Sequence, residues 1–463
     1  MRRLMLCAAA AAPLAMAGRA LAAPDEDVRK EIDDLRRHMG EMEKDYQRRI
    51  ADLERRLSER DAPKTTDLQA QIDDLVDKMD ALGSKAGAAR SGAPGPSTLL
   101  DISFNSLLTA GTSTAPEKVI AALEGGHHDP HKRGFTVQNT EIGLSGAVDP
   151  YFKGFANMVQ TIDEAGETVV ELEEAYAQTT SLPYGLQLKA GQYFTDFGRL
   201  NPQHPHQWEF VDQPLVNTRM LGDDGLRGTG ARVSWFLPTR TPVEMIAGMQ
   251  NANGNTMRSF AGPAEDGPPF GRQADRPVRT LGDVVLSGRA DASLDLSDEM
   301  PSLLGVSGAF GPSGASRAGS TSIVGADLTV KWTPLANDHG FPFVAFQSEW
   351  MRRHAGYDAF VEGRSFVPGG ELHDAGWYAQ LVCGFQRDWT VGLRFDDVRG
   401  VDDQVLGRED RNRWSAAVTW YTSEFAKIRL QFNADDSAAL GRREQSVWLQ
   451  LEFNLGTHGA HKF

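Results

Sequence analysis

The 463-residue chain has few cysteines, no excess of positive charge and almost no long apolar segments. Its two cysteines are Cys7, which falls in a segment predicted to be removed, and Cys383, so no intramolecular disulfide is expected. A formal net charge of -15 argues against a nucleic-acid partner, which needs a basic face. No run of about 18 apolar residues occurs beyond the N-terminus, which excludes membrane-spanning helices. A soluble protein or a closed β-barrel remains.

The first hundred residues predict export followed by a coiled coil. Arg2 and Arg3 precede an apolar stretch, and Ala20-Leu21-Ala22 fits a cleavage motif, so residues 1–23 are predicted to be a signal peptide. Apolar residues over 24–82 recur in steps of mostly four and three, which indicates a periplasmic coiled coil. The alternative is a helix that folds back on its own protein. Residues 83–98, rich in Gly, Ala, Pro and Ser, predict a flexible linker.

Residues 99–463 show an apolar period of two, which is typical of β-strands. Val324, Leu328 and Trp332, for example, alternate with Asp327 and Lys331. About sixteen strands can be placed, and tight turns alternate with mostly long connections near 111–134, 195–228, 251–280, 352–374 and 397–411. This rhythm predicts an all-β transmembrane barrel of about 16 antiparallel strands, preceded by the α-helical coiled coil. A soluble β-sandwich is the alternative.

Aromatic residues near strand ends are expected to form two rows at the membrane interfaces. They are Trp235, Trp350, Trp377, Trp389, Trp414, Trp420 and Tyr421.

Several short motifs lie in the strand region: Glu141–Gly146, Glu173–Tyr176, Leu186–Tyr193 and Phe197–Arg199, with Leu455–Gly456 and the final Phe463. On these motifs residues 99–463 resemble the phosphate-selective porin O/P family and related trimeric outer-membrane porins with an N-terminal periplasmic coil. The resemblance implies a homotrimer of barrels with about sixteen strands, each a passive pore with loops folded inward. The family's arginine ladder and phosphate-binding lysines have no residue-by-residue match here, so phosphate selectivity is not carried over.

Strand alternation places charged side chains on the inner face of the barrel, where they would line a pore. The predicted pore-lining residues are Lys189, Arg232, Asp327, Lys331, Arg394, Asp396, Lys427 and Arg429. Because most of them are basic, a slight preference for anions is predicted. The long segment from Thr195 to Gly230 predicts a constriction loop folded into a water-filled lumen. Its candidate residues are Arg199, His204, His206, Trp208 and Glu209.

Two histidine groups raise a metal hypothesis, because imidazole is a common ligand of zinc and copper. The first group is His127, His128 and His131, and the second is His204 with His206. Neither has the spacing of a known metal motif. We therefore expect surface histidines in polar loops, and no cofactor.

The sequence as a whole predicts a Gram-negative outer-membrane porin for passive diffusion of small hydrophilic solutes or ions. Its expected partners are the lipid bilayer, two further copies of the chain and, through the coil, peptidoglycan. An enzyme is not expected, because the G-x-S-x-G and Walker motifs are absent. The alternatives are an outer-membrane receptor or transporter for a metal or other ligand, and a structural tether between outer membrane and cell wall. The region before the barrel is too short for the plug of a TonB-dependent receptor.

Overall fold

The computed structural model describes residues 100–162, 166–262, 276–362, 365–400 and 409–456. The predicted signal peptide, coiled coil and linker lie outside these residues, as does Phe463. None of the described helices has the length and hydropathy that a bilayer-spanning helix needs.

Sixteen antiparallel strands of the described residues form one closed barrel, in which consecutive barrel strands pair and the last barrel strand pairs with the first. The closed barrel confirms the predicted architecture and strand number, and it excludes the β-sandwich. The barrel strands are β1 Leu100–Ser113, β2 Gly134–Ala147, β3 Phe152–Ile162, β4 Thr168–Thr179, β5 Leu186–Phe194, β6 Arg227–Leu237, β7 Val243–Asn251, β8 Val284–Ser297, β9 Met300–Pro312, β10 Ser320–Trp332, β11 Phe343–Tyr357, β14 Gly370–Gln386, β15 Trp389–Arg399, β16 Arg411–Ser423, β17 Ala426–Ser437 and β18 Glu444–Gly456.

The remaining elements lie in the connections between barrel strands. A hairpin of β12 (Phe360–Glu362) and β13 (Ser365–Val367) stands between β11 and β14. Two short helices are α1 (Glu117–Leu123), between β1 and β2, and α2 (Leu215–Leu221), between β5 and β6. Single 3-10 turns occur at Pro183–Gly185, Pro205–Gln207, Leu281–Asp283 and Ala438–Leu440.

The two ends of the barrel differ in the length of their connections. At the end where β1 begins and β18 finishes, the connections have two to ten residues; we call this the short-turn end. The opposite, long-loop end carries 114–133, 195–226, 252–283 and 358–369. The predicted loop 352–374 is too long, because β11 continues to Tyr357 and β14 already begins at Gly370.

The two faces of the barrel wall have opposite polarity. Outward side chains are apolar and exposed: Leu393 is 58% exposed and Val324 is 39% exposed. Inward side chains of the same strands are polar and buried, such as Arg394 and Asp327. Alternation along each strand explains this division, since successive side chains point to opposite faces.

Aromatic side chains form two groups on the outer face. Trp389 and Trp420 stack near the short-turn end, with ring centroids 5.7 Å apart. Phe395 contacts both Trp377 and Trp414 further toward the long-loop end. Apolar side chains such as Val391 lie between the two groups along the strands.

The interior of the barrel contains a hydrophobic core between α2, the segment 252–262 and inner-facing wall residues. Its larger members are Phe197, Leu215, Val216, Met220, Leu221, Met257, Phe260, Ile323 and Met351. A second apolar cluster joins α1 to Trp448 on β18. Where these two apolar clusters lie, protein occupies the interior of the barrel. The prediction of a water-filled lumen is therefore wrong for this part of the barrel.

Candidate functional site

The segment 195–226 leaves β5, crosses the barrel interior and returns to β6; we call it the inserted loop. Its two ends are adjacent, because Phe194 and Arg227 are directly paired across β5 and β6. On the far side, the backbone N–H of Leu215 donates to Asp396 Oδ1 on β15 at 3.0 Å. The backbone N–H of Val211 donates to Gln431 Oε1 on β17 at 2.7 Å.

The first turn of the inserted loop is held by Glu349, an inner-facing residue of β11. The backbone N–H of Leu200 donates to Glu349 Oε1 at 2.8 Å. Gly198 has a φ of +62°, and a Cβ at this position would collide with the Glu349 carboxylate. A glycine is therefore required here for two reasons, the left-handed backbone and the close approach of the carboxylate.

Asp212 is the main charged anchor of the inserted loop. Its carboxylate lies 2.7 Å from an Nη of Arg394 and 2.6 Å from an Nη of Arg413. Burial alone would raise the pKa of Asp212, but the two guanidinium groups outweigh burial and hold that pKa well below its usual value. Asp212 is thus a buried carboxylate that stays ionised between two cations.

The same network joins the first long loop to the barrel wall. Arg413 also lies 2.8 Å from Glu124, just after α1, and 2.8 Å from Asp435 on β17. Burial raises the pKa of Glu124 to about 7, although Arg413 opposes the shift. Arg411 donates to Asp435 and to the backbone carbonyl of Leu123. Two loops and three strands therefore meet in one charged cluster.

The other side of the inserted loop binds carboxylates of β2 and β4 through two histidines. His204 Nδ1 lies 2.8 Å from Glu173 Oε2, and His204 Nε2 lies 3.1 Å from Glu174 Oε2. His206 Nδ1 lies 3.0 Å from Glu141 Oε2, and the two imidazole rings stack at 5.7 Å. Burial lowers the pKa of His204, but Glu173 and Glu141 raise it more, so it lies well above the usual value.

The sequence did not predict these pairings, although Glu141 and Glu173–Tyr176 were among the quoted motifs. Glu141 stands at an inner-facing position of β2. A register shift between β3 and β4 interrupts the alternation of β4, so that the adjacent Glu173 and Glu174 are both buried. An acidic residue on a lumen face opposite a histidine-containing loop is the signal that could have identified them.

His128 is buried, which contradicts the expectation of a surface histidine. Its Nε2 lies 3.0 Å from Asp224 Oδ1 and 3.6 Å from Glu173 Oε1. Burial lowers its pKa, but hydrogen bonds to these carboxylates outweigh it and raise the pKa to about 10. Asp224 also pairs with Arg227. We interpret the group as an internal ion-pair cluster, since its carboxylates already have cationic partners.

Of the other two histidines of the first loop, His127 packs edge-on against the His128 ring, with ring centroids 5.1 Å apart. His131 Nε2 lies 2.7 Å from the carbonyl oxygen of Gly126, and His127 Nε2 lies 3.5 Å from Thr161 Oγ1.

All eight residues predicted to line a pore have inner-facing positions. Asp327 lies 2.6 Å from Arg289, and Lys427 lies 2.8 Å from Glu452. Arg232 lies 3.0 Å from Asp196. The partners of the others also lie inside the barrel: Lys189 beside the Tyr176 ring, Lys331 beside the Phe343 ring, Arg394 and Asp396 beside each other, and Arg429 beside Gln450.

Two cavities lie on either side of the inserted loop. The cavity toward the short-turn end encloses about 250 Å³. Its charged lining residues are Arg199, Glu209, Lys331, Glu424, Lys427 and Glu452. The cavity toward the long-loop end encloses about 380 Å³, and its charged lining residues are Arg219, Asp223, Arg258, Glu409 and Arg411. Because residues of the inserted loop line both cavities, this loop separates the two spaces.

The predicted constriction residues lie along this boundary. Trp208 is buried, and its backbone carbonyl accepts a hydrogen bond of 2.8 Å from Arg429. Lys427 Nζ donates to the carbonyl oxygen of His206 at 2.9 Å. Arg199 and Glu209 face the cavity at the short-turn end.

Three solved structures resemble this chain over 77% of its length. An anion-selective porin from Comamonas acidovorans is 10% identical, is matched over 99% of its own chain and gives a TM-score of 0.47. Pseudomonas putida OprB at high pH is 9% identical, is matched over 94% and gives 0.49. Salmonella typhi OmpF in complex with daunomycin is 8% identical, is matched over 97% and gives 0.44. At these identities nothing about a transported solute follows.

No family model matches the sequence. A curated relative, an uncharacterized protein of Aquifex aeolicus, is 31% identical over 398 residues. The aligned region covers 80% of each protein. The chain therefore belongs to the same protein family as this uncharacterized Aquifex aeolicus protein.

Proposed function

We propose that this chain forms an outer-membrane channel for passive diffusion of small hydrophilic solutes or ions. The observation that carries the proposal is the opposite polarity of the two faces of a closed barrel. Exposed leucine, valine and tryptophan side chains cover the outside, whereas charged side chains cover the inside. A closed antiparallel barrel with this division satisfies its backbone within lipid and keeps a polar interior.

The inserted loop is the proposed constriction. It is fixed on one side by His204 and His206 and on the other by Asp212, so it spans the interior rather than hanging from one wall. A solute that passes from one cavity to the other must pass this loop. Together with Arg199, Trp208 and Glu209, the two histidines would set the narrowest part of the path.

Selectivity for anions is a finer part of the proposal. Six of the eight predicted pore-lining residues are basic, and such rings of charge govern ion preference. The cavity at the short-turn end has three basic and three acidic lining residues, so the proposed preference rests on the strand residues alone. Reversal potentials in a salt gradient test this point, and a cation-selective channel would contradict it.

The assembly is also part of the proposal. We propose a homotrimer in the outer membrane, an N-terminal coil in the periplasm that reaches peptidoglycan, and membership of the phosphate-selective porin O/P-like group. The motifs around Glu141 and Glu173 carry that resemblance, and in this chain their carboxylates hold the inserted loop. Gel electrophoresis tests the homotrimer: a trimer band that dissociates on heating would support it.

A second candidate function is a structural tether whose barrel is closed. It is favoured by the near-complete burial of Asp212, Arg394 and Arg413, which are each at most 1% exposed. Unitary conductance distinguishes the two functions, since a closed tether conducts no ions.

Planar-bilayer recording of the full chain tests the proposal, with a loop-shortened variant beside it. In this variant residues 197–224 are replaced by a four-residue Gly-Ser turn, which the direct pairing of Phe194 with Arg227 permits. We expect discrete unitary steps for the wild type and larger steps for the variant. Conductance only in the variant would favour the tether, and equal steps in both proteins would show that the inserted loop is not the constriction.

A further inference from the structure

Three side chains at the long-loop end of β11 and β14 bring two imidazoles and one carboxylate together on the outer face. His354 on β11 is directly opposite His373 on β14, and Glu371 precedes His373 by two residues on the same face. His354 Nε2 lies 3.1 Å from Glu371 Oε2, and His373 Nε2 lies 3.9 Å from the same oxygen. The two rings are 4.2 Å apart between centroids.

The position of this cluster keeps it in contact with water. The His354 and His373 side chains are 45% and 50% exposed. Both histidines stand four residues beyond the paired Trp350 and Trp377, a distance of roughly 13 Å along a strand. Neighbouring outward residues near this level are polar: Ser322 of β10 is paired with His354, and Arg399 of β15, paired with Ala375, is 69% exposed. A solute ion can therefore reach the cluster from the long-loop side.

The donor atoms fit a small transition-metal ion. Zinc binds imidazole nitrogen and carboxylate oxygen at about 2.0–2.2 Å in tetrahedral geometry, so its ligand atoms lie roughly 3.3 Å from one another. One ring nitrogen from each histidine and one carboxylate oxygen of Glu371 already lie within 4.8 Å of one another. Small side-chain rotations suffice to close the remaining gap, and these side chains are exposed enough to rotate.

We propose that His354, Glu371 and His373 form a binding site for a first-row transition-metal dication, with zinc as the reference ion. Three protein ligands leave a fourth position for water or another ligand. The ion would link the ends of β11 and β14 at the base of the connection that carries the β12–β13 hairpin. The site is independent of the proposed channel, because it lies on the outside of the barrel wall.

Two other histidine groups are less suited to binding a metal ion. His128, Glu173 and Asp224 also bring three donors together, but Arg227 and His204 already supply positive charge to those carboxylates. Among the described residues, no lysine or arginine lies within ion-pair distance of Glu371. His339 with Asp338 is an exposed pair that offers only two ligands.

The test is zinc binding by the full chain, purified in detergent without an affinity tag and freed of metal with a chelator. Equilibrium dialysis against zinc chloride at neutral pH gives the number of bound ions and their affinity. We expect the H354A/H373A double variant to bind one ion fewer per chain than the wild type. Glu371→Gln should weaken that site at least about tenfold, because even the loss of a supporting group costs about 10–100-fold.

His339→Ala is the matched control, since it removes an exposed histidine beside a single carboxylate, and it should bind zinc like the wild type. Heat-modifiable mobility on a gel confirms that each variant is folded. If the double variant fails to fold, the Cu²⁺ electron paramagnetic resonance spectrum of the wild type should show nitrogen ligands, with one nitrogen fewer in His373→Asn. Equal stoichiometry and affinity in the wild type and the folded double variant would overturn the site, as would a His373→Asn spectrum identical to that of the wild type.

Discussion

At the scale of single residues, Asp212 is the side chain on which the position of the inserted loop depends most. It neutralises two buried guanidinium groups, those of Arg394 and Arg413. Removing one partner from a buried ion pair costs about 3–5 kcal/mol, because the remaining charge loses its compensation. We expect Asp212→Ala to loosen the inserted loop, to lower the barrel's unfolding temperature and to raise unitary conductance.

Asp436→Ala is the control for this prediction. Asp436 pairs with Arg443 on the surface, where both side chains are exposed, and exposed ion pairs contribute little. Its conductance and unfolding temperature should match those of the wild type. An Asp212→Ala protein with wild-type stability would show that Asp396, Asp435 and Glu124 suffice to compensate Arg394 and Arg413.

Side-chain direction could be predicted at this scale, but side-chain partners could not. Strand alternation correctly placed Asp327, Arg394 and Lys427 on the inner face of the barrel, because the face that a strand residue occupies depends only on the residues next to it in the chain. The pairing of Arg413 with Glu124 joins residues 289 positions apart in the chain. Such a contact follows from barrel closure and from the path of two loops, and neither leaves a local pattern in the sequence.

At the scale of elements, His128 connects the first long loop to the inserted loop and to β4. Its pKa is raised from 6.5 to about 10, so the folded protein prefers the charged imidazolium. This contribution to stability is fully present below about pH 6.5 and is lost as the pH rises through about 10. We therefore expect the unfolding temperature of the full chain to fall across this interval.

His128→Gln isolates the contribution of this imidazole, because glutamine can hydrogen-bond but cannot become charged. The variant should be less stable than the wild type at neutral pH and should show a shallower decline toward pH 10. Circular dichroism melts at several pH values measure both slopes. Parallel profiles for the two proteins would assign the alkaline decline to other groups.

The strands were predictable from sequence, whereas their ends at the long-loop side were not. Alternation identifies a strand only where one of its faces is apolar. In this barrel that is the part of the wall whose outward side chains are apolar, which we call the apolar band. Beyond Trp350, β11 continues through Arg352, Arg353 and His354, which are polar on both faces. The pattern therefore stops before the strand does, and the loop 352–374 was predicted too long.

At the scale of the whole molecule, the inaccurate expectation was the water-filled lumen. The inserted loop brings Leu215, Val216, Met220 and Leu221 of α2 into the barrel, where they pack against wall residues. Four of the seven residues of α2 are large apolar residues, a density of apolar side chains that the sequence contained. What the sequence could not tell is that these side chains face the interior of the barrel rather than another loop.

The proposed membrane position of the barrel predicts how its outer wall tolerates charge. Leu430 lies between Ile428 and Phe432 on the outer face of β17 and is half exposed. An arginine at the middle of the bilayer costs about 2–4 kcal/mol, and this cost falls to about 0–1 kcal/mol near the interface. We expect Leu430→Arg to lower the free energy of unfolding in lipid vesicles by the larger amount.

Asn412→Arg is the matched substitution at the edge of the wall. Asn412 is opposite Asp397 on one side and Asp436 on the other, so a cation there meets carboxylates instead of lipid tails. Guanidinium unfolding of both variants in the same vesicles should show a cost near zero for Asn412→Arg. Equal costs at the two positions would mean that the apolar band does not face hydrocarbon, and the channel proposal would lose its physical basis.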